Sequence, residues 1–184
     1  MPDNPAPEAP DGIRQRFPKI YQELLEVASR MLGKTPPRSV TPSQLTHDAF
    51  IKLSGEEVRR RAGARSELGD KPDAVFKACF GAACRDLLVD HARRRGAERH
   101  GGMVEREPLS TSIPFEAGDP HDVLEMNDAL VALAALDPVL AQVAELRVFG
   151  DLTIAECAET LNLPPRTLER KWAFARAWLH SRLR

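Results

Sequence analysis

The stretch LTIAECAETLNLPPRTLERKWAFARAWL, residues 152–179, contains two segments of helical periodicity separated by a proline pair. Thr153 and Glu156 have the spacing of a capping box, in which the two side chains satisfy backbone N–H groups at a helix start. Pro165 fits the first turn of the following helix, where its missing N–H has no cost. Two helices joined by about four residues match the helix-turn-helix unit.

Each helix of this unit has an apolar stripe, and the second also has a charged outer face. The predicted inward residues are Ile154, Cys157, Ala158 and Leu161 in the first helix and Leu168, Trp172, Ala175 and Leu179 in the second. The start of the second helix, which in such units enters the major groove, carries Arg166, Thr167, Glu169, Arg170 and Lys171.

These side chains suit DNA for chemical reasons. Arginine can bind guanine through two hydrogen bonds, and lysine, threonine and the helix N-terminus can bind phosphate. Glu169 can accept a hydrogen bond from cytosine or brace Arg170. An amphipathic helix that packs on another protein is the alternative interpretation.

The charge distribution along the chain supports two contacts with a polyanion. The 184 residues carry a formal net charge of -1 and can form one medium domain or two small ones. Residues 165–184 nevertheless hold six Arg or Lys against one acid, and residues 77–99 hold six against three. Local basic surfaces of this kind are typical of nucleic-acid binding, although solvated helix faces would give the same pattern.

The three cysteines and the apolar runs define the compartment. The odd number of cysteines, Cys79, Cys84 and Cys157, favours a reducing cytoplasm over a set of disulfides. Each lies in a helical apolar pattern, so we interpret all three as small core residues. A metal site built on Cys79, Cys84 and a nearby histidine is the weaker alternative. No apolar run approaches the roughly 20 residues of a membrane span.

Helical signals recur along the rest of the chain. A first helix is expected to stop near Gly33. Thr41 and Gln44 have capping-box spacing and Pro42 suits the first helical position, so a second helix begins there and ends at Gly55.

Asp73 is expected to cap a longer helix, which has a predicted buried stripe of Val75, Phe76, Cys79, Phe80, Ala83 and Leu87. Residues 56–72 before it are predicted to be a partly helical, mobile insertion. Farther along, one helix is expected to contain Leu130, and another is expected to begin at Asp137 and end at Gly150.

The expected fold is therefore all-α, with two small helical domains joined by a flexible linker. The expected boundaries are a disordered leader in residues 1–12, a first domain in 13–100, the linker in 101–121 and a second domain in 122–184.

Three stretches in this order resemble the extracytoplasmic-function (ECF) sigma factors, which are subunits of bacterial RNA polymerase. Residues 152–179 resemble region 4, which binds the promoter -35 element. TPSQLTHDAFIKL resembles the region 2 helix that docks on the polymerase clamp. FKACFGAACRDLLVDHARRRGAERHGG resembles the segment that melts and holds the -10 element.

The resemblance implies partners and site residues. The partners are core RNA polymerase, through its β′ clamp and β flap, and promoter DNA. Clamp binding falls on Leu45, His47, Asp48 and Lys52, and -10 binding falls on Arg85, Asp90, His91, Arg93, Arg94, Arg95 and Arg99. Neither catalytic residues nor a cofactor, metal or membrane contact is expected.

Two departures from the family pattern stand out. Pro164 occupies the position before the recognition helix where a serine or threonine cap is common. The clamp helix has Thr41, Ser43 and Gln44 where family members usually carry acids that meet a basic clamp. The loss of these charges should weaken docking.

The second departure motivates a hypothesis of activation by a Ser/Thr kinase. A phosphate on Thr41, Ser43 or Thr46 would return roughly -1.5 to -2 charges. Polar docking with Thr41 as a simple cap is the alternative, and an anti-sigma protein is a further possible regulator.

Two other classes of function compete with a sigma factor. A stand-alone helix-turn-helix regulator with an N-terminal sensing or dimerisation domain would bind its site without polymerase. An enzyme is disfavoured because the sequence contains no glycine-rich phosphate loop and no metal-spaced ligands.

Overall fold

The computed structural model describes residues 11–33, 40–55, 72–98 and 120–183, without the side chains at positions 11–15, 95–98 and 120–121. This part of the chain forms helices and no strand, which confirms the all-α class. The helices are α1 (Asp11–Leu32), α2 (Pro42–Ser54), α3 (Asp73–Glu98), α4 (Pro120–Leu136), α5 (Pro138–Val148), α6 (Ile154–Leu161) and α7 (Pro165–Arg182).

Local sequence signals set most of these boundaries. Gly33, which follows α1, has a φ of 66°, a conformation that glycine adopts at little cost. The Thr41 hydroxyl caps α2 by accepting a hydrogen bond from the Gln44 N–H at 3.2 Å, and Gly55 ends that helix. Asp137 caps α5 by accepting from the Val139 N–H at 2.8 Å, and the helix starts at the Asp137–Pro138 pair, as the sequence predicts. Asp73 is the first residue of α3 and not its cap.

Some of the predicted segments lie wholly or largely outside the described residues. These are the leader, of which only positions 11 and 12 are described as part of α1, the insertion, of which only Pro72 is described, and the linker.

The larger of two hydrophobic clusters joins the two groups of helices that the sequence predicts as separate domains. The larger hydrophobic cluster runs from Phe17 and Leu24 on α1 through Phe80 on α3 to Leu133 on α4 and Leu179 on α7. Helix α3 packs on α1 and α2 along one side and on α4, α5 and α6 along the other. Of the predicted stripe, Phe76, Phe80 and Ala83 are buried and the other three are partly buried. Because both sides of α3 are covered, Cys84 and Leu88 are buried as well.

A close backbone contact holds α3 against the turn that follows α5. A Cβ atom at Gly81 would lie 2.5 Å from the Phe149 carbonyl oxygen and 2.9 Å from the Gly150 nitrogen. A Cβ atom at Gly150 would in turn lie 3.4 Å from the Ala78 Cα. At Gly81 only a residue without a side chain allows so close an approach, whereas 3.4 Å at Gly150 is an ordinary van der Waals distance.

Ion pairs reinforce the same boundary. Arg85 of α3 bonds to Glu145 of α5, and its guanidinium also contacts Asp86 at 3.1 Å. Arg30 of α1 lies 2.5 Å from Asp151 in the loop between α5 and α6. Both pairs join the first half of the chain to the second.

We expect Gly81→Ala to lower the free energy of unfolding. The same change in an open helix would raise it by about 1 kcal/mol, whereas here the added methyl group would collide with the 149–150 turn and cost roughly 1–3 kcal/mol. Urea denaturation measures the change, and small-angle scattering shows whether the two halves move apart. A gain in stability of about 1 kcal/mol at unchanged dimensions would contradict the close contact.

Candidate nucleic-acid interface

The helix-turn-helix forms from the capping box and the turn that the sequence indicates. The Thr153 N–H donates to the Glu156 carboxylate at 2.6 Å, and the Glu156 N–H donates to the Thr153 hydroxyl at 3.2 Å. The backbone hydrogen bond from Thr153 holds the pKa of Glu156 below its ordinary value. Asn162 ends α6 with a φ of 50°, and the next N–H, of Leu163, donates to the Ala158 carbonyl at 3.0 Å.

The recognition helix α7 begins at Pro165. The helix therefore forms although Pro164 offers no side-chain cap of the kind that a serine or threonine would provide. Leu168, Ala175 and Leu179 are buried, as predicted. Trp172 is partly buried, and the Arg147 guanidinium lies 5.5 Å from its ring centroid. These contacts fix the rotation of α7 about its own axis.

The rotation of α7 sorts the predicted DNA contacts into two groups. Arg166, Glu169 and Arg170 are exposed on the outer face, and Thr167 is half-buried. Lys171 instead points back to α5, where its ammonium group bonds to the Asp137 carboxylate. The structure therefore gives Lys171 an internal partner and leaves the two arginines as the cations of the outer face near the helix start.

Sequence reasoning missed an aromatic residue on this face. Phe174 is 55% exposed and follows Arg170 by four residues, which is about one helical turn. The signal was present in the sequence, since Leu168, Ala175 and Leu179 define the buried stripe and position 174 falls outside it.

The predicted -10 residues lie at the C-terminal part of α3. Asp90, Arg93 and Arg94 are exposed there and His91 is half-buried. The Arg94 Nε donates to the Asp90 carbonyl at 3.3 Å. The Arg95 side chain and the whole of Arg99 lie outside the described residues.

Arg85 differs from the other predicted -10 residues because it faces the second half of the chain. Its side chain is largely buried, bonds to Glu145 and lies 6.0 Å from the Phe149 ring centroid. Burial raises the pKa of Glu145, and the positive charge of Arg85 opposes that rise. In this arrangement Arg85 is part of the contact between the two halves and not of an open DNA surface.

Helix α2 presents a polar face that differs from the predicted clamp set at one position. Leu45 is 2% exposed and packs in the core, so the prediction of Leu45 as a surface contact is wrong for this structure. The exposed face carries His47, Asp48 and also Ile51, which is 64% exposed. Lys52 is partly buried and bonds to Asp86 of α3 at 2.9 Å.

Aromatic packing fixes the start of this face. The His47 ring lies 6.1 Å from the Phe17 ring and 5.9 Å from the Tyr21 ring, measured between centroids. The imidazole is therefore held at the surface of α1 and α2, beside Asp48.

The candidate phosphorylation sites on α2 have different environments. Ser43 is exposed, and Thr41 is exposed while its hydroxyl oxygen caps the helix. Thr46 is fully buried and donates its hydroxyl to the Pro42 carbonyl at 2.8 Å. A kinase cannot reach Thr46 in this structure, so the hypothesis is restricted to Thr41 and Ser43.

Comparison with known proteins places this arrangement in a family. A family model described as ECF sigma factor matches residues 9–184. The chain belongs to the ECF sigma factor family. The match spans both groups of helices, so both belong to the family's conserved region. Among curated proteins and solved structures, none matches the chain.

Family membership establishes the coarse function. ECF sigma factors are DNA-binding, non-enzymatic subunits of RNA polymerase that act in transcription initiation. Their partners are core RNA polymerase and promoter DNA. None of the described helices of this sigma factor is long and apolar enough to cross a membrane.

The cysteines of this sigma factor fit the interpretation as core residues. Cys84 and Cys157 are buried and Cys79 is half-buried. Burial raises the pKa of all three thiols, that of Cys157 to about 11, so none is activated as a thiolate. The described residues contain no group of side chains that could hold a metal ion.

We expect Lys171→Gln to lower the melting temperature of the sigma factor and Arg170→Gln to leave it unchanged. The first substitution breaks the bond to Asp137, whereas the second removes an exposed charge one residue earlier. Thermal unfolding followed by circular dichroism measures both. Equal melting temperatures for the two variants would show that Lys171 is not held by Asp137.

The contribution of this pair should depend on pH. The hydrogen bond from Lys171 holds the pKa of Asp137 below its ordinary value, so the pair stabilises the fold at pH values above about 4. The contribution is lost as the pH falls through the lowered pKa. We therefore expect the difference in melting temperature between wild type and Lys171→Gln to be present at neutral pH and to shrink in acid.

Proposed function

We propose that this sigma factor directs core RNA polymerase to promoters through three separate surfaces. Helix α7 binds the -35 element, the C-terminal part of α3 binds the -10 element, and the exposed face of α2 binds the polymerase clamp. The observation that carries the proposal is the pair Arg166 and Arg170, exposed on the recognition helix of a helix-turn-helix. The protein acts in the cytoplasm, with the polymerase.

The contact with the -35 element depends on the outer face of α7. Arg166 and Arg170 are separated by one helical turn, so both can reach base edges of adjacent positions in the major groove. Glu169 lies between them and can accept a hydrogen bond from a cytosine amino group. Lys171 contributes indirectly, by holding α7 on α5 through Asp137.

The contact with the -10 element uses the exposed Arg93 and Arg94 at the end of α3. Guanidinium groups on an open helix end bind phosphates of a single strand, and unstacked bases then require additional contacts. Arg85 can join this surface only if its bond to Glu145 is broken. Breaking this bond would free the Arg85 guanidinium for DNA and leave the Glu145 carboxylate without its cationic neighbour.

Docking on the clamp relies on a face with few charges. Asp48 is the acidic side chain on the exposed face of α2, next to the polar Ser43, Gln44 and His47 and the apolar Ile51. Ile51 can bury a methyl-rich surface on the clamp, which adds affinity without charge. A basic clamp nevertheless gains little electrostatic attraction from one carboxylate.

Phosphorylation of Ser43 or Thr41 would supply the missing charge. Both residues are exposed at the start of α2, where a negative group is also stabilised by the helix dipole. The Thr41 oxygen already accepts the Gln44 N–H, and phosphate oxygens can keep accepting this bond. A Ser/Thr kinase is therefore the proposed activator, with an anti-sigma protein as the competing mode of regulation.

We expect Ser43→Asp to tighten binding to core polymerase by roughly two- to fivefold, the factor typical of one exposed charge pair. Ser29→Asp is the matched control, since Ser29 is exposed on α1 and its substitution adds the same charge away from α2. Fluorescence anisotropy of labelled sigma factor against core enzyme measures both. Equal affinities for wild type and both variants, with wild type already tight, would end the kinase hypothesis.

Run-off transcription from genomic fragments with purified core enzyme tests the proposed function as a whole. Wild type should produce discrete transcripts, and Arg170→Ala should reduce them about tenfold or more, because one bidentate base contact contributes roughly 1–3 kcal/mol. Arg182→Ala removes an exposed charge from the far end of the same helix and should change the yield little. Equal losses for both variants would indicate a general charge effect and not base recognition by α7.

A further inference from the structure

Phe174 is an exposed aromatic side chain that the core of the protein does not use. It is 55% exposed. Trp172 and Trp178, on the same helix, pack against the hydrophobic clusters of the described residues, and Phe174 belongs to neither cluster. An aromatic ring left in water loses the stabilisation that burial would give, so a binding role is the physical explanation to test.

The ring lies on the edge of α7 that carries the two exposed arginines. Arg166, Arg170 and Phe174 follow one another at intervals of four residues, each a rotation of about 40° and a rise of about 6 Å. Ala173 and Ala177 are also exposed on this side and are small. These two alanines leave room for a DNA groove to approach the helix backbone beside the ring.

The chemistry of the major groove selects one target for such a ring. Thymine presents a C5 methyl group there, and apolar side chains including phenylalanine contact that methyl group. The amino groups of cytosine and adenine lose hydrogen bonds to water against an apolar ring, so those bases are penalised. The arginines bind guanine, and Phe174 supplies the complementary preference for thymine.

We infer that Phe174 is a specificity-determining residue that contacts the methyl group of a thymine in the -35 element. The inference rests on the proposed function, in which α7 enters the major groove of that element. It adds an apolar base contact to the arginine contacts, and the thymine lies beyond the bases reached by Arg170, toward the C-terminal end of α7.

The test removes one methyl group from the DNA. A promoter identified by run-off transcription is prepared with deoxyuridine in place of each thymine of the -35 element in turn, on either strand. Affinity of the complete complex of sigma factor and core polymerase is then measured for each fragment. For wild type, deoxyuridine at one thymine should lower the affinity roughly fourfold, the factor for burying one methyl group. Deoxyuridine at the other thymines should leave the affinity unchanged.

In the same measurement, Phe174→Ala should bind the thymine fragment more weakly than wild type does. It should also bind the thymine and deoxyuridine fragments with equal affinity. Phe174→Leu keeps an apolar contact and should keep part of the discrimination. Val131→Ala is the matched control, because Val131 is 64% exposed on α4 and lies off the recognition helix. It should discriminate as wild type does. Melting temperatures of all variants establish that they are folded.

Three results would overturn the inference. One is discrimination by Phe174→Ala equal to that of wild type, and another is the absence of any methyl effect in wild type. A third is a loss of core polymerase binding by Phe174→Ala on all promoters alike, which would assign the ring to a protein contact. Failure of wild type to bind any -35 fragment in the presence of core polymerase would instead refute the proposed function itself.

Discussion

The packing of α3 between the two halves of the chain is the constraint on which the rest of the structure depends. Gly81 permits the backbone of α3 to meet the turn at 149–150, and the paired Arg85 and Glu145 lie at the same boundary. Overpacking at such a contact is costly because neither backbone can yield. The larger hydrophobic cluster spans this boundary, with α2 packed at one side of α3 and α4, α5 and α6 at the other.

This packing also decides which basic groups can meet DNA. On α7, the rotation set by Trp172 and Leu168 directs Arg166 and Arg170 outward and Lys171 inward to Asp137. On α3, Arg93 and Arg94 are exposed while Arg85 is held by Glu145. A chain with nearly balanced charge thus presents cations at two places and neutralises others internally, which limits indiscriminate attraction to polyanions.

Much of the fold could be predicted from the sequence because its signals are local. Thr41, Asp137 and Thr153 act as helix caps, and the two prolines at 164 and 165 separate the helices of the DNA-binding unit, as their chemistry requires. These features involve side chains within a few residues of the backbone groups they satisfy. The helix boundaries that they set are therefore the same in the folded structure as in the prediction.

The candidate sites were less predictable because they depend on neighbours distant in sequence. Lys171 and Arg85 look like DNA contacts until their carboxylate partners, 34 and 60 residues away, are known. Leu45 is different, since Leu45, Ala49 and Leu53 form a buried stripe at four-residue spacing that the sequence itself displays. Thr46 can be buried because its hydroxyl bonds to the carbonyl of the preceding turn.

A gel shift with a promoter fragment, in the presence and absence of core polymerase, tests most directly whether this chain is a promoter-specificity subunit. The free chain holds Arg85 on Glu145 and offers DNA only separate small surfaces, so it should shift the fragment weakly or not at all. With core polymerase, the same concentration of chain should give a stable complex that core enzyme alone does not form. Tight, sequence-specific binding by the chain alone, unaffected by core polymerase, would contradict the account.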